Sequence, residues 1–117
     1  MARRDTRFPT SRETGFPLEL VVEGKVISGP TVPEFFLNVV NYLKLRDLID
    51  EIEMPFKTSG ANYLLAYEPY HPSGRAFGAY IEMDNKGRRV YVNTNHPRFF
   101  ALRQGARLLQ AAGVSMF

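Results

Sequence analysis

The pattern of hydrophobic and polar positions divides the chain into a polar amino-terminal segment and a series of strand-like and helix-like runs. Residues 1–17 combine four arginines with Thr, Ser, Pro and Gly, and have no apolar face to bury. In residues 18–29, two short β-rich runs flank Glu23-Gly24, where glycine supplies the positive φ of a tight turn. We therefore predict a basic flexible arm over 1–17, and a single domain over 18–117 that begins with a β-hairpin.

The segment TVPE, residues 31–34, has the features of a helix start. Thr31 can cap the helix, Glu34 can reach back to the Thr31 amide, and Pro33 is tolerated in the first turn. Apolar residues then recur at helical spacing as far as Met54-Pro55, which predicts a long helix. These residues are Phe36, Val39, Val40, Leu43, Leu48, Ile49 and Ile52.

Three strand-like runs follow, at residues 62–68, 76–83 and 88–94, and a turn at 84–87 joins the last two. Side chains alternate between the two faces of a strand, so these runs predict one apolar face and one aromatic and polar face. The apolar set is Phe77, Ala79, Ile81, Met83, Val90 and Val92; the opposite set is Tyr80, Glu82, Arg89, Tyr91 and Asn93. We predict a three-stranded antiparallel meander.

A second helix is predicted to begin near Asn95-His96-Pro97, with Asn95 as the N-cap, and to end at Gly113. A helical wheel places one stripe in the core, formed by Leu102, Ala106, Leu109 and Ala112, and a second set on the opposite side, formed by Phe100, Arg103 and Arg107. The order of hairpin, helix, three antiparallel strands and helix predicts an α+β fold with the helices packed on one face of the sheet.

Composition narrows the classes of function. The chain has no cysteine, which excludes disulfides, thiolate zinc sites and cysteine nucleophiles. It has no apolar run of about 20 residues and no signal-peptide pattern, so we expect an intracellular, cytoplasmic protein without a membrane partner. Phosphate-loop, dinucleotide and serine-hydrolase motifs are absent, so we expect neither an enzyme nor a cofactor. The net charge of +3 permits an anionic partner.

The chain has two histidines, and each is followed by proline. In a meander, the end of the first strand, the start of the second and the end of the third share one edge, which would bring His71 and His96 together. Arg75 and Arg98 would lie beside them, at the amino terminus of the second helix, where free amides favour anions. This arrangement predicts a phosphate-binding corner.

Other interpretations of the same residues remain open. The two His-Pro pairs are also consistent with rigid turns whose imidazoles bond to loop carbonyls. A metal site would use His71, His96 and Glu68, although the spacing matches no metal motif. Ser73 lies close to His71 in sequence, but catalysis would require a geometry that sequence adjacency does not establish.

The segment EPYHPSGRAF, residues 68–77, together with the order helix, three strands, helix, resembles the double-stranded RNA-binding domain. Pro69, His71 and Phe77 match that family's loop with a histidine, followed by an aromatic residue at the next strand. The resemblance implies that His71 enters an RNA minor groove and that the start of the second helix, with Arg98 and Arg103, grips phosphates. The segment HPRFF at this helix start differs from the family's lysine-rich pattern.

Two functions follow as expectations. The first is a nucleic-acid-binding module that uses His71, Arg75, His96, Arg98 and Arg103. The second is a protein-interaction or homodimerisation module that uses Phe100 and the aromatic sheet face with Tyr80 and Tyr91. Phosphate-driven binding weakens steeply as salt rises, whereas an apolar interface responds little, so salt dependence separates the two.

Overall fold

The computed structural model describes residues 17–115, so the predicted basic arm, apart from Pro17, lies outside the described residues. The elements are β1 (Leu18–Val22), β2 (Lys25–Gly29), α1 (Val32–Leu45), a 3₁₀ helix (Ile49–Glu51), β3 (Phe56–Lys57), β4 (Tyr63–Ala66), β5 (Tyr80–Asn85), β6 (Arg88–Asn93) and α2 (Arg98–Ala111). The α+β class is confirmed.

The predicted amino-terminal hairpin is present. Strands β1 and β2 pair antiparallel from Leu18 opposite Gly29 to Val22 opposite Lys25. Glu23 and Gly24 form the two-residue turn with φ values of 50° and 77°, the left-handed pair that suits the twist of a hairpin. The end of the hairpin at Gly29 packs closely against the first turn of α1. A Cβ at position 29 would lie 2.5 Å from the Phe35 amide nitrogen, so only glycine fits there.

Helix α1 begins as predicted and ends earlier than predicted. Thr31 caps it by accepting a bond from the Glu34 amide at 3.3 Å. The helix stops at Leu45, and Asp47 takes a left-handed conformation with φ 58°. Ile49 and Ile52 are buried nonetheless. Ile49 begins the 3₁₀ helix and Ile52 follows its end in an extended conformation. Both return to the same core, so the apolar spacing continues although the α-helix does not.

The strand order differs from the predicted meander. The second sheet has the order β3-β4-β6-β5, so the last strand in sequence lies between the two that precede it. Lys86 and Gly87, both at positive φ, form the tight turn between β5 and β6. Because β6 then pairs with β4 along its other edge, a loop of residues 67–79 must carry the chain from the end of β4 back to the start of β5.

This loop contains residues that we predicted to be strand. Strand β5 begins at Tyr80 rather than at residue 76, and Phe77 is buried in the loop.

Leu64 and Leu65 in strand β4 are both fully buried, and successive residues of a strand point to opposite faces. Strand β4 is therefore covered on both faces.

Helix α2 is rotated relative to the predicted wheel. Its buried residues are Ala101, Gln104, Gly105, Leu108 and Leu109, whereas Leu102 and Ala106 are half-buried. Gly105 sets this rotation, because a Cβ there would lie 2.7 Å from the Phe35 ring. The helix thus approaches α1 closely at a position without a side chain. Both helices, the hairpin and the inner face of the sheet share one core.

Candidate anion-binding site

The loop of residues 67–79 is a compact structure held by its own backbone. The His71 amide donates to the Arg75 carbonyl at 2.8 Å, and the Gly74 amide donates to the His71 carbonyl at 2.9 Å. Gly74 has a φ of 88°, which glycine adopts without strain. The Phe77 amide closes the base of the loop by donating to the Pro69 carbonyl at 2.8 Å. The loop therefore holds His71 and Arg75 in fixed relative positions.

His71 is tied to the beginning of β4. Its Nδ1 accepts a hydrogen bond from the Tyr63 amide at 3.3 Å, and its ring packs on Phe77 with centroids 4.7 Å apart. Because a backbone amide can only donate, Nδ1 must be unprotonated and the ring proton sits on Nε2. Burial lowers the pKa of His71, and the positive charge of Arg75 lowers it further. His71 is therefore a neutral N–H donor.

The Nε2 donor of His71 has no hydrogen-bond partner among the described residues. The side chain is only 8% exposed, and within residues 17–115 its Nε2 forms no hydrogen bond. Buried polar groups are almost always satisfied by protein, water or ligand. His71 lines a cavity, so the unused N–H identifies the cavity as the place where a hydrogen-bond acceptor is expected.

His96 follows β6 and is fixed by the opposite ring nitrogen. Its Nε2 lies 2.9 Å from the Asn93 carbonyl oxygen, which can only accept, so Nε2 carries the proton. Its ring lies between Phe36 and Phe100, at centroid distances of 5.6 and 5.9 Å. Burial lowers the pKa of His96, the bond to Asn93 opposes this shift, and the nearby His71 adds to it. His96 thus leaves an unprotonated Nδ1.

Both histidines line one cavity of about 520 Å³. Its lining is polar and includes Asn62, His71, Arg75, Asn93, Asn95 and His96. None of the described residues that line it is Asp or Glu, and Arg75 forms no ion pair within the described part of the chain. The described lining of the cavity therefore has one exposed guanidinium, neutral donors and acceptors, and no competing carboxylate.

Asn93 holds the floor of this cavity. We predicted it on the open face of the sheet, but it is only 2% exposed. Its Nδ2 donates to the Tyr63 carbonyl at 3.1 Å, and its Oδ1 accepts from the Asn95 amide at 3.0 Å. Asn95 is not the helix cap that we predicted, since Pro97 occupies that position. The Asn95 side chain lies instead beside Gly78, within the cavity lining.

The opposite wall of the cavity is held by a residue that sequence reasoning missed. Gln104 is fully buried in α2. Its Oε1 accepts from the Ser59 amide at 3.1 Å, and its Nε2 donates to the Ser59 hydroxyl at 2.9 Å. This pair of bonds attaches the segment containing Thr58 and Gly60, both of which line the cavity, to the helix. No signal in the sequence marked this residue, since its chain neighbours are Arg103 and Gly105 and the predicted apolar stripe lies on the other side of the helix.

The structure brings three of the five predicted anion-binding residues together. His71, Arg75 and His96 line the cavity, whereas Arg98 and Arg103 do not. The Arg98 guanidinium donates to the Pro30 carbonyl at 2.7 Å, and Arg103 is exposed on α2. These three residues come together for a different reason from the one we predicted. We expected a shared edge of a meander, but it is the loop of residues 67–79, running from the end of β4 back to the start of β5, that brings His71 to this position.

Glu68 lies at a different cavity, of about 440 Å³, beside Tyr67 and Tyr70. There the Arg88 guanidinium lies over the Tyr67 ring, 3.4 Å from its centroid. The metal set of His71, His96 and Glu68 is therefore not assembled. Within residues 17–115, no group of three or more His, Cys, Asp or Glu residues is placed to hold a metal ion.

The residues predicted for a protein interface lie in two settings, on helix α2 and on the outer face of the sheet. Phe100 is half-buried and contacts His96, while its neighbour Phe99 is 81% exposed. Tyr80 and Tyr91 pack edge to face with centroids 5.5 Å apart on the outer sheet face. Tyr80 is partly exposed, so the aromatic outer face is present as predicted. The exposed phenylalanine of α2 is Phe99 instead of Phe100.

The chain matches no protein-family model, and no curated protein or solved structure is significantly similar to it. The resemblance to the double-stranded RNA-binding domain therefore stays a prediction. Among the described residues, no helix has the length and apolar character needed to cross a bilayer.

Proposed function

We propose that this chain is a non-enzymatic binding module that takes a nucleic-acid phosphate into the cavity between His71 and His96. The buried N–H of His71, unpaired within the described residues, carries the proposal, because it requires an acceptor from a ligand or solvent. A phosphate oxygen is a strong acceptor, and Arg75 at the same cavity supplies the positive charge.

The arrangement around these two groups favours an anion over a cation. No carboxylate lines the described part of the cavity, so a bound phosphate meets no like charge there. Asn62 and Asn95 add amide groups that can bond to further oxygens of the ligand. Because the bonds of Asn93 and Gln104 hold the walls in place, little ordering is needed on binding.

The test is a titration of labelled RNA and DNA oligonucleotides, single- and double-stranded, at low and moderate salt. We expect binding that weakens as salt rises. Arg75→Ala should weaken binding to every sequence alike and flatten the salt dependence, since a phosphate contact reads no base. Lys25→Ala is the matched control, because it removes the same charge from the hairpin, away from the residues that line the cavity.

A second function, a protein-interaction or homodimerisation module, is favoured by one observation. Phe99 is 81% exposed, and phenylalanine is among the residues enriched at protein–protein interfaces. This function predicts association that Phe99→Ser abolishes and that salt barely changes. If no oligonucleotide binds at low salt, or if binding is indifferent to Arg75→Ala, the phosphate proposal is rejected and the second function remains.

A further inference from the structure

Backbone bonds give the two histidines of the cavity opposite hydrogen-bonding roles. The Tyr63 amide fixes His71 as a donor at Nε2, and the Asn93 carbonyl leaves His96 with Nδ1 as its only ring nitrogen for a ligand. This Nδ1 forms no hydrogen bond to another described residue. In the neutral ring it is an acceptor, so a ligand bound at both histidines must both accept and donate.

A phosphodiester accepts hydrogen bonds but has no donor of its own. Its oxygens accept hydrogen bonds from His71 and Arg75, but it offers no donor to Nδ1 of His96. A hydroxyl group next to the phosphate supplies the missing donor, and in nucleic acids that group is the ribose 2′-hydroxyl, which is present in RNA and absent from DNA. The pair of tautomers therefore matches a ribose and its phosphate better than a deoxyribose and its phosphate.

The size of the cavity limits the ligand further. A volume of about 520 Å³ falls within the range of ordinary small-ligand pockets, about 300 to 1,000 Å³. It lies between the loop of residues 67–79 and the segment at Thr58 and Gly60. A cavity of this size is too small to enclose a double helix, so a nucleotide that enters it whole is unpaired.

We propose that this cavity selects an unpaired ribonucleotide, with the phosphate held by Arg75 and His71 and the 2′-hydroxyl donating to Nδ1 of His96. The proposal rests on the proposed function above and names its ligand. His96 is then the residue that determines the preference for RNA over DNA, while Arg75 contributes affinity to both. The depressed pKa of His96 supports this role, because a protonated ring would lose the acceptor.

The experiment compares single-stranded RNA, single-stranded DNA and 2′-fluoro RNA of one sequence, together with the duplex RNA, in direct titrations of the full chain. One neutral hydrogen bond corresponds to a preference of about tenfold for RNA over DNA. The 2′-fluoro strand, which has no donor at that position, should bind like DNA. The duplex should bind more weakly than the single strand.

A substitution at His96 tests whether this residue is the source of the preference for RNA over DNA. His96→Phe keeps a ring beside Phe36 and Phe100 and removes the acceptor, so RNA and DNA should then bind with similar affinity. Equal binding of RNA and DNA by the unaltered protein, or binding of 2′-fluoro RNA as tight as that of RNA, overturns this inference. If Arg75→Ala still weakens the binding of both RNA and DNA in that case, the proposed phosphate-binding function stands. If it weakens neither, the proposed function fails as well.

Discussion

The imidazole of His71 accepts a hydrogen bond from the backbone amide of Tyr63, eight positions earlier in the chain, at a distance of 3.3 Å. This contact joins the middle of the loop of residues 67–79 to the start of β4. It fixes the His71 tautomer, since the amide can serve only as donor. The buried side chain thereby contributes to the fold through one ring nitrogen and to the cavity through the other.

The lowered pKa values of His71 and His96 predict how stability changes with pH. Both lie below the ordinary value of 6.5, so as the pH falls through this value the unfolded chain binds more protons than the folded chain. The stability that the neutral rings contribute is present above pH 6.5 and is lost as the pH falls toward their folded pKa values. We expect urea denaturation to show lower stability at about pH 5.5 than at about pH 8.

The variant His71→Gln checks the source of that pH dependence. Glutamine offers a hydrogen-bond acceptor but does not titrate, so the difference in stability between the two pH values should shrink. The pKa of Asp50 is lowered from 3.8 by its bonds to Lys86 and Asn85, so that carboxyl titrates below this window. An unchanged pH difference in His71→Gln and in the corresponding His96 variant would contradict the assignment to histidine.

Gln104 is predicted to hold the cavity wall. In Gln104→Leu the Ser59 amide and hydroxyl lose their partner on α2. Because Ser59 is itself exposed and water can replace part of these bonds, we expect a loss of about 1 kcal/mol, the net contribution of an ordinary hydrogen bond. Hydrogen exchange at Ser59 and Gly60 should accelerate more than exchange in the hairpin. Gln110→Leu, on the exposed side of the same helix, is the control and should leave the exchange of this segment unchanged.

Gly105 is predicted to be essential for the approach of the two helices. A Cβ there would lie 2.7 Å from Phe35, whose ring is fully buried. Overpacking of this kind costs about 1 to 3 kcal/mol, which outweighs the gain of up to about 1 kcal/mol in helix propensity from Gly to Ala. Gly105→Ala should therefore lower the free energy of unfolding, whereas a stabilised variant would show that the helices can separate without cost.

The two adjacent phenylalanines of α2 should respond differently to truncation. Phe100 packs against His96 and lines the cavity, so Phe100→Ala should reduce stability by about 1 to 3 kcal/mol, less than for a fully buried phenylalanine. Phe99→Ala removes a ring that is 81% exposed and should change stability by less than about 0.5 kcal/mol. Thermal unfolding of the two variants side by side gives the comparison, and equal losses would place Phe99 in an unrecognised contact.

Local signals in the sequence determined the elements whose geometry depends on near neighbours. The hairpin turn at Glu23-Gly24 and the cap formed by Thr31 were predicted correctly, because each depends on a few adjacent residues and their backbone preferences. The β5–β6 turn and the buried face with Val90 and Val92 were predicted for the same reason. The sequence also predicted that His71, Arg75 and His96 lie near one another, and all three line one cavity, although the meander on which that prediction rested does not form.

Only the tertiary structure decided how these elements are joined and which ring nitrogens remain for a ligand. Strand β6 pairs with β4 and β5 through backbone bonds that are alike in every pairing, so alternation could not reveal that it lies between them. Helix α2 turns Gln104 inward because Gly105 must meet Phe35, a constraint from a distant residue. The tautomers of the two histidines are set by Tyr63 and Asn93, through contacts that exist only once the chain has folded.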